Sequence, residues 1–460
     1  MTSSNARAIA ILLAIGLGAA CATSAGVRSS QPQGSGGHKS FVLPVVEIVA
    51  MDVGINLAAR VVDEPAFYEV TPASIRRNLG HSWVVDEDPF EINQIGHPYQ
   101  GAMYHDIARS NGLNYWQSMA YTFAGSAFWE VFGETTPPSF NDQIATGIGG
   151  SFLGEPLFRI SRLLLERADK GPGVWRTLAS VLVSPPAGLN QLMVGDPAGS
   201  FGSDAVPFSD IRVQIGTTGI VPGGSLSLSS LQMDQPHLSL SMDYGYPGSA
   251  SYEHDRPFDY FRIEGSVSEE GMELSTRGLI AGADYRSGRL AGVWGLYGSY
   301  DYFTPDDFRL STTAFSFGTT LQASLSESVV LQSTGLLGGG YAAARAIGPE
   351  DGRDYHYGVS PQAVANLRLI TGSRAALDLT AREYFVSGVG GFGTGQRDLI
   401  FVGDASLAVR VLRKHALGVN YQLAGRTSDY LELPDETRSR ARVGVFYTFL
   451  GSGGFGARTW

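Results

Sequence analysis

The stretch His415–Ala424 reads His-Ala-Leu-Gly-Val-Asn-Tyr-Gln-Leu-Ala, so that large apolar residues alternate with polar or small ones. Successive side chains of a β-strand point to opposite faces of its sheet, and one face of this strand is therefore predicted to be apolar. Such a strand suits a sheet whose outer face meets lipid while its inner face meets a wet lumen. The same alternation recurs through the second half of the chain and decides the fold.

From about Phe208 the chain divides into segments of roughly ten to sixteen residues that keep this alternation. In Ala376–Tyr384, the leucines 377 and 379 share the predicted outer face, whereas Asp378 and Arg382 share the inner one. The last segment, Arg442–Phe449, alternates in the same way. We predict a membrane all-β barrel of about 12 antiparallel strands over residues 208–450, since an even number returns both ends to the periplasm.

Short and long connections alternate between these segments. An outer-membrane barrel requires this alternation, whereas a soluble β-sandwich does not. Tight turns are predicted at residues 286–288, 326–328, 371–373 and 413–415, and longer polar loops at 304–307, 347–354, 387–397 and 427–438. Short turns face the periplasm and long loops the exterior. The long stretch 247–256 falls on the short-turn side, which indicates that one hairpin between residues 208 and 285 is misassigned. Aromatic residues near strand ends predict interfacial girdles: Tyr297, Tyr300, Tyr302, Phe303, Tyr384, Phe385 and Tyr430.

Composition excludes several classes of protein. Only 17% of the residues are charged and the net charge is -11, so a nucleic acid is excluded as a partner because phosphate binding needs a basic surface. One Cys cannot form an internal disulfide. No run of 18 apolar residues occurs, which excludes a bundle of membrane-spanning helices.

The N-terminus predicts export. Arg7 and the apolar run Ala8–Ala20 form the basic and hydrophobic parts of a signal peptide over residues 1–25. Two processing routes remain open, cleavage after Ala25 or acylation of Cys21, which ends a sequence similar to a bacterial lipoprotein box. Residues 26–62 are predicted to be a flexible linker, and residues 451–460 a C-terminal tail.

A helical domain is predicted over residues 63–201, where the apolar period changes to that of a helix. Pro98 predicts the start of a helix that ends at Ser110–Gly112, and a second helix covers Tyr115–Gly133. Ser139 predicts the cap of a third helix. Its glycines between Gly147 and Gly154 predict close approach to a neighbouring helix.

Polar residues within this apolar domain are the candidate site. His97, Glu130, Glu134 and Glu155 are the candidate catalytic residues, and the first three are also candidate ligands of a divalent metal, since carboxylate and imidazole groups bind such ions between helices. Tyr104, His105, Arg109 and Ser126 are the candidate ligand-binding residues. A structural network is the alternative interpretation of the same residues. In it Glu130 pairs with Arg109 or accepts from Ser or Trp donors, Asp142 is a helix cap, and His97 satisfies a helix start.

The motifs of this domain resemble a known family. They are His97–Tyr104, Ala108–Gly112, Trp129–Glu134, Pro137–Asp142 and Gly149–Glu155. Together they are similar to an uncharacterised bacterial envelope family known only as a domain of unknown function, over roughly residues 85 to 200. Members of this family similarly join the helical block to a barrel, and the resemblance implies architecture and location but no activity.

Three functions remain open at this point. The chain is predicted to be an outer-membrane protein of a Gram-negative bacterium that binds or passes a small or lipidic molecule, with its helical domain in the periplasm or in the barrel lumen. The alternatives are a lipid-modifying or metal-dependent hydrolase and a structural or assembly factor of the envelope. The expected partners are outer-membrane lipids and the barrel-assembly machinery, which recognises a final strand like Arg442–Phe449.

Overall fold

The computed structural model describes residues 39–62, 65–166, 173–194, 209–221, 233–248, 252–346, 354–388, 396–431 and 434–457. The chain divides into two compact units, one helical and one a β-barrel, and the division in the sequence follows residue 204. The predicted signal peptide, Cys21 and the linker up to residue 38 lie outside the described residues.

The helical unit contains the helices predicted near Pro98 and Tyr115, together with others that were not predicted from the sequence. Its helices are α1 Leu43–Val62, α2 Pro65–Tyr68, α3 Pro72–Gly80, α4 His97–Ser110, α5 Tyr115–Phe132, α6 Phe140–Asp142, α7 Gly150–Glu166, α8 Val174–Val183 and α9 Pro185–Val194. The Asn114 side chain caps α5 by accepting from the Gln117 backbone N–H. No helix in the described part of the chain is long and apolar enough to cross a bilayer.

The predicted linker is wrong over its last twenty residues, because Leu43–Val62 form α1. The buried side chains Ile48 and Asp52 hold this helix against the rest of the unit, where Ile48 packs beside Tyr104. The linker prediction depended on a Gly- and Ser-rich composition, which in fact stops at His38. Tertiary packing stabilises most helices in proteins, and α1 is an example.

Two π-helical segments, Ile92–Gly96 and Gln143–Gly149, lead directly into α4 and α7. Pro98 lies in the first turn of α4, as predicted, and the π-helical turn precedes it without a break. Proline has no backbone N–H and disturbs the regular hydrogen-bond ladder, and a π-turn just before it accommodates that disturbance. Ser139 caps α6 as predicted, since its hydroxyl accepts from the Asp142 backbone N–H.

Glycine allows α4 and α7 to pack closer than ordinary side chains permit, which confirms the prediction for this face. A Cβ on Gly150 would lie 2.6 Å from the Cα atom of Gly101, and one on Gly154 would lie 3.0 Å from the Cα atom of Ala102. This close contact brings the polar residues of the two helices together in the interior of the unit.

The second unit is a closed barrel of 12 antiparallel strands, as predicted. The strands are β1 Ser209–Val221, β2 Gln235–Tyr244, β3 Phe261–Ser268, β4 Gly271–Ser287, β5 Leu290–Phe303, β6 Leu310–Ser324, β7 Val329–Arg345, β8 Tyr355–Thr371, β9 Ala375–Val386, β10 Arg397–Leu412, β11 His415–Asp429 and β12 Glu436–Leu450. Pairing of β1 with β12, for example Ile215 opposite Tyr447, closes the sheet.

The outer face of the barrel is apolar. Large apolar side chains are exposed there, among them Phe317, Leu337, Leu377, Leu379, Leu417, Val419 and Val445. The predicted inner residues Asp378 and Arg382 form ion pairs inside the barrel. An apolar outer face of this kind is stable in contact with lipid, so the barrel is a membrane barrel.

The prediction of an aromatic girdle is wrong for Tyr297, Phe303 and Tyr384, which are buried and face the lumen. Trp294 and Leu296 on β5 point outward. Tyr297 lies an odd number of residues from each of them, so it faces inward together with Val293 and Gly295. Proximity to a strand end does not decide which face a residue occupies. The register of the strand does.

The connection between β2 and β3, residues 245–260, lies at the same end of the barrel as the tight turns, although it is long. β3 and β4 are joined at the opposite end by a turn of two residues, Glu269 and Glu270. The end with the tight turns is called the periplasmic end below, following the rule for outer-membrane barrels.

Candidate functional site

Glu155 on α7 is the centre of a buried ion network in the helical unit. Its carboxylate accepts from Arg109 Nε at 2.7 Å and Nη2 at 3.1 Å, and from Arg159 Nε at 2.8 Å. Burial raises the pKa of Glu155, but the two arginines and the hydrogen bond from His105 outweigh it and hold this pKa well below its ordinary value. Glu155 is therefore ionised at neutral pH.

His105 completes this network. Its Nε2 lies 3.1 Å from a carboxylate oxygen of Glu155, and its ring contacts the Tyr115 ring edge-on at 5.3 Å between centroids. Burial lowers the pKa of His105, more than Glu155 raises it. Arg109 also donates to the Leu113 carbonyl at 2.6 Å, so this arginine pairs with Glu155 and not with Glu130 as the alternative interpretation had it.

Tyr104 belongs to a second buried group. Its hydroxyl donates to Asp52 Oδ1 at 2.5 Å and accepts from Gln100 Nε2 at 2.6 Å. Burial raises the pKa of Asp52 to about 7. The sequence could not reveal Asp52, because it lies on α1 in the stretch predicted as a linker.

Glu130 on α5 is another buried carboxyl group, and its pKa is shifted in the opposite direction to that of Glu155. Its Oε2 accepts from the Ser139 backbone N–H at 2.8 Å, whereas its Oε1 is buried with no hydrogen-bond partner. Burial raises the pKa of Glu130 to about 8. Burial also raises the pKa of Glu134, with nearby Glu130 as the next contribution. Glu130 is therefore largely protonated at neutral pH.

His97 lies beside Asp142, with 3.6 Å between Nε2 and Oδ1. Burial lowers the pKa of His97 and raises that of Asp142. Asp86, which sequence reasoning missed, accepts from the side-chain amides of Asn93 and Asn141 at 2.6 Å each. A short acidic stretch before α4 was the only signal for it. Among the described residues, no three His, Cys, Asp or Glu side chains are grouped so that they could hold a metal ion.

Ser126, the remaining candidate, accepts a hydrogen bond from Gln143 Nε2 at 2.8 Å. The structure thus divides the predicted residues among separate hydrogen-bonded groups. His105, Arg109 and Glu155 come together, while His97 contacts Asp142 and Glu130 contacts the start of α6.

Replacing Glu130 with Gln is expected to remove part of the pH dependence of stability. The folded state keeps the Glu130 proton up to about pH 8, whereas the unfolded chain releases it near 4.5, so rising pH between these values favours unfolding. One such proton changes the unfolding free energy by about 1.4 kcal/mol per pH unit. Urea unfolding of the full chain in detergent, followed by its helical circular dichroism at several pH values, measures this slope.

The matched control for this prediction is Glu87→Gln, which changes an exposed glutamate of the same unit. We expect Glu87→Gln to leave the slope of the wild-type chain unchanged. A Glu130→Gln chain whose slope equals that of the wild type would contradict the prediction.

The barrel lumen contains a polar cavity of about 170 Å³. It lies on the side formed by the first strands and the last ones. Arginines 212, 262, 368, 382 and 442 and the carboxylates of Glu264, Glu273, Asp378 and Asp404 contribute to its lining, together with His237, Ser406, Asn420 and Gln422.

Each of these arginines forms an ion pair with a carboxylate. Arg382 lies 2.8 Å from Asp404, and Arg442 lies 2.9 Å from Glu273. Arg262 and Arg368 share Asp243, at 2.9 Å and 3.1 Å. The lining is therefore strongly polar and close to neutral.

The opposite side of the lumen is filled by apolar and aromatic side chains. Tyr246 and Tyr260, from the connection between β2 and β3, pack with Tyr297, Leu336 and Val364 of the barrel wall. Tyr246 donates from its hydroxyl to the Leu321 carbonyl at 2.9 Å. The open space of the lumen is consequently restricted to the polar side.

Comparison with protein families identifies the helical unit. Residues 82–186 match the family model described as "Domain of unknown function (DUF3943)". These residues form a DUF3943 domain. The match confirms the resemblance predicted from the motifs, and the DUF3943 domain contains His97, Glu130, Glu134 and the whole Glu155 network. No curated protein matches the chain.

Solved structures similar to this chain include outer-membrane channels. The NanC porin is 8% identical over 52% of this chain and 98% of its own, with a TM-score of 0.29. The KdgM porin is 7% identical over 52% and 99%, with a TM-score of 0.25. The COG4313 outer membrane channel from Pseudomonas putida F1 is 10% identical over 54% and 98%, with a TM-score of 0.26.

Proposed function

We propose that this protein is an outer-membrane barrel that binds and passes a small polar molecule through its lumen. The observation that supports this proposal most directly is the polar cavity, which five arginines and four carboxylates help to line. A barrel that serves only as an anchor does not need a charged cavity, because burying paired charges costs free energy that apolar filling avoids.

The lining favours a polar occupant over a lipid chain. Apolar chains gain nothing from displacing water bound to arginine and carboxylate groups, which would lose hydrogen bonds. The pairing of each cavity arginine with a carboxylate further favours a neutral or zwitterionic molecule over a highly charged one. A volume of about 170 Å³ is below the roughly 300 Å³ at which typical ligand pockets begin, so the molecule is small.

Export and placement in the outer membrane agree with the proposal. The predicted signal peptide, residues 1–25, would deliver the chain to the envelope, and acylation of Cys21 would add a second attachment to lipid. Both remain predictions, as does a periplasmic position for the DUF3943 domain.

The test is to fill the cavity. Ser406 on β10 lines it, so Ser406→Trp places an indole in the open space. We expect this chain to lose about tenfold or more of its conductance in planar bilayers, and of its uptake of small polar solutes in liposomes, since the path becomes blocked.

The matched control is Ala405→Trp on the same strand. Ala405 pairs with Leu379 and Tyr421 and faces the opposite side of the sheet from Ser406, so its indole meets lipid. We expect wild-type passage from this control. If the wild-type barrel carries neither ions nor small solutes, or if Ser406→Trp passes them unchanged, the proposed function is wrong.

A further inference from the structure

We infer that the C-terminal segment Gly451–Ala457, called the tail plug below, closes the lumen cavity at its periplasmic end and must move for a molecule to pass. This inference rests on the proposed function and concerns its regulation. The tail plug follows β12 directly, and its residues fold back into the barrel.

Phe455 is the residue that fills the opening. It is 1% exposed and packs against Ile370, Ala376, Ala408 and Ala416. These four residues lie at the periplasmic ends of β8, β9, β10 and β11, on the lumen face. The three alanines leave a space between the strands that the aromatic ring occupies, because protein interiors are close-packed.

Polar contacts join the tail plug to the cavity itself. Arg212 Nη2 donates to the Phe455 carbonyl at 2.7 Å, while its Nη1 donates to Asp378 at 3.2 Å. Both Arg212 and Asp378 line the cavity, so the tail plug lies directly beneath it. On the far side of the lumen, Gln332 Nε2 donates to the Gly456 carbonyl at 2.9 Å. The tail plug therefore spans the periplasmic opening from β1 to β7.

The tail plug is built to be released without unfolding the barrel. Gly451, Gly453, Gly454 and Gly456 make up most of its backbone, and two of them adopt positive φ angles, +75° at Gly453 and +84° at Gly456. Glycine reaches such angles without strain. Phe455 is its one large apolar side chain. Releasing the plug breaks the contacts of this ring and a few hydrogen bonds, but no pairing between strands.

Removing the plug tests the inference. Phe455→Ala, and a second chain truncated after Gly451, are compared with the wild type in planar bilayers. We expect both to raise the mean conductance about tenfold, because the cavity then opens to the periplasm. The matched control is Phe317→Ala, which shortens a phenylalanine that faces lipid and is expected to conduct like the wild type. A heat-dependent shift in gel mobility shows that each barrel is folded.

A chemical measurement separates this inference from the proposed function. Cys21 is the only cysteine, so Cys21→Ser with Ser406→Cys leaves a single thiol in the cavity. We expect truncation after Gly451 to raise the labelling rate of this thiol by a membrane-impermeant reagent about tenfold. This readout requires access to the cavity but no passage through the barrel.

The bilayer and labelling results together distinguish the tail plug from the proposed function. Faster labelling together with silent bilayers would support the plug and overturn the proposed function. A wild-type chain that conducts as strongly as Phe455→Ala would overturn the plug and leave the proposed function standing. Equal labelling rates with and without the tail would also overturn the plug.

Discussion

Replacing Glu155 with Gln is expected to lower the unfolding free energy of the helical unit by about 3–5 kcal/mol at neutral pH. The carboxylate is 0% exposed and contacts Arg109 and Arg159, whose guanidinium groups are also largely buried. Glutamine keeps the shape of the side chain but leaves two buried cations without a counter-charge. Removing one partner of a buried ion network lowers stability strongly, because the other charge stays buried without compensation. Replacing the whole network by apolar residues has a much smaller effect on stability.

Urea unfolding of the full chain in detergent, followed by its helical circular dichroism, measures this loss. Glu130→Gln is the matched control, since it makes the same change in another fully buried glutamate of the unit. Glu130 already holds its proton at neutral pH, so this control is expected to change stability little or to raise it. Equal losses for the two variants would show that the charge state assigned to Glu155 is wrong.

The pH dependence of the Glu155 contribution has the opposite sign to that of Glu130. The pKa of Glu155 is lowered in the folded state, so its contribution is fully present above the ordinary value near 4.5 and is lost as pH falls below it. Acid therefore weakens the Glu155 network, whereas alkali weakens the group around Glu130.

Replacing Gly150 with Ala is expected to cost about 3 kcal/mol, at the upper end of the range for overpacked interiors. The added Cβ would lie 2.6 Å from Gly101 Cα and 2.9 Å from the Ala102 nitrogen. Both are backbone atoms of α4, which cannot turn aside as a flexible side chain can. The helices would have to separate, and separation would loosen the contacts between Glu155 and the residues of α4.

Gly54→Ala on α1 is the matched control, because a Cβ at Gly54 meets nothing within 4 Å. Alanine favours the helix by about 1 kcal/mol relative to glycine, so this control is expected to stabilise the unit. The same urea unfolding experiment compares the two chains. A Gly150→Ala chain as stable as the wild type would contradict the close packing of α4 and α7.

The fold was largely predictable because its signals are local. Leu417 and Val419 on one face and Asn420 and Gln422 on the other required only a period of two residues. The end of α4 followed from a similarly local signal, the predicted turn at Ser110–Gly112. Pro98 correctly marked the first turn of α4, but the π-helical turn before it has no comparable signature in the sequence.

The pairing of the candidate site residues was predictable only in part. His97, Glu130 and Glu134 were grouped as metal ligands, yet His97 contacts Asp142, which was not in that group. Glu155 and Arg109 are 46 residues apart, and nothing local indicates that they meet. The sequence likewise placed Phe455 in a tail and contained no signal that its ring would enter the lumen.

By itself, the sequence determined that this protein is a 12-strand membrane barrel joined to a DUF3943 domain, since periodicity and short motifs are written along neighbouring residues. Only the tertiary structure decided which charges pair and which remain protonated. It also decided which side of the lumen stays open and which segment closes it. These properties depend on distances between residues far apart in the chain and on how completely each group is removed from water, and no local pattern records either quantity.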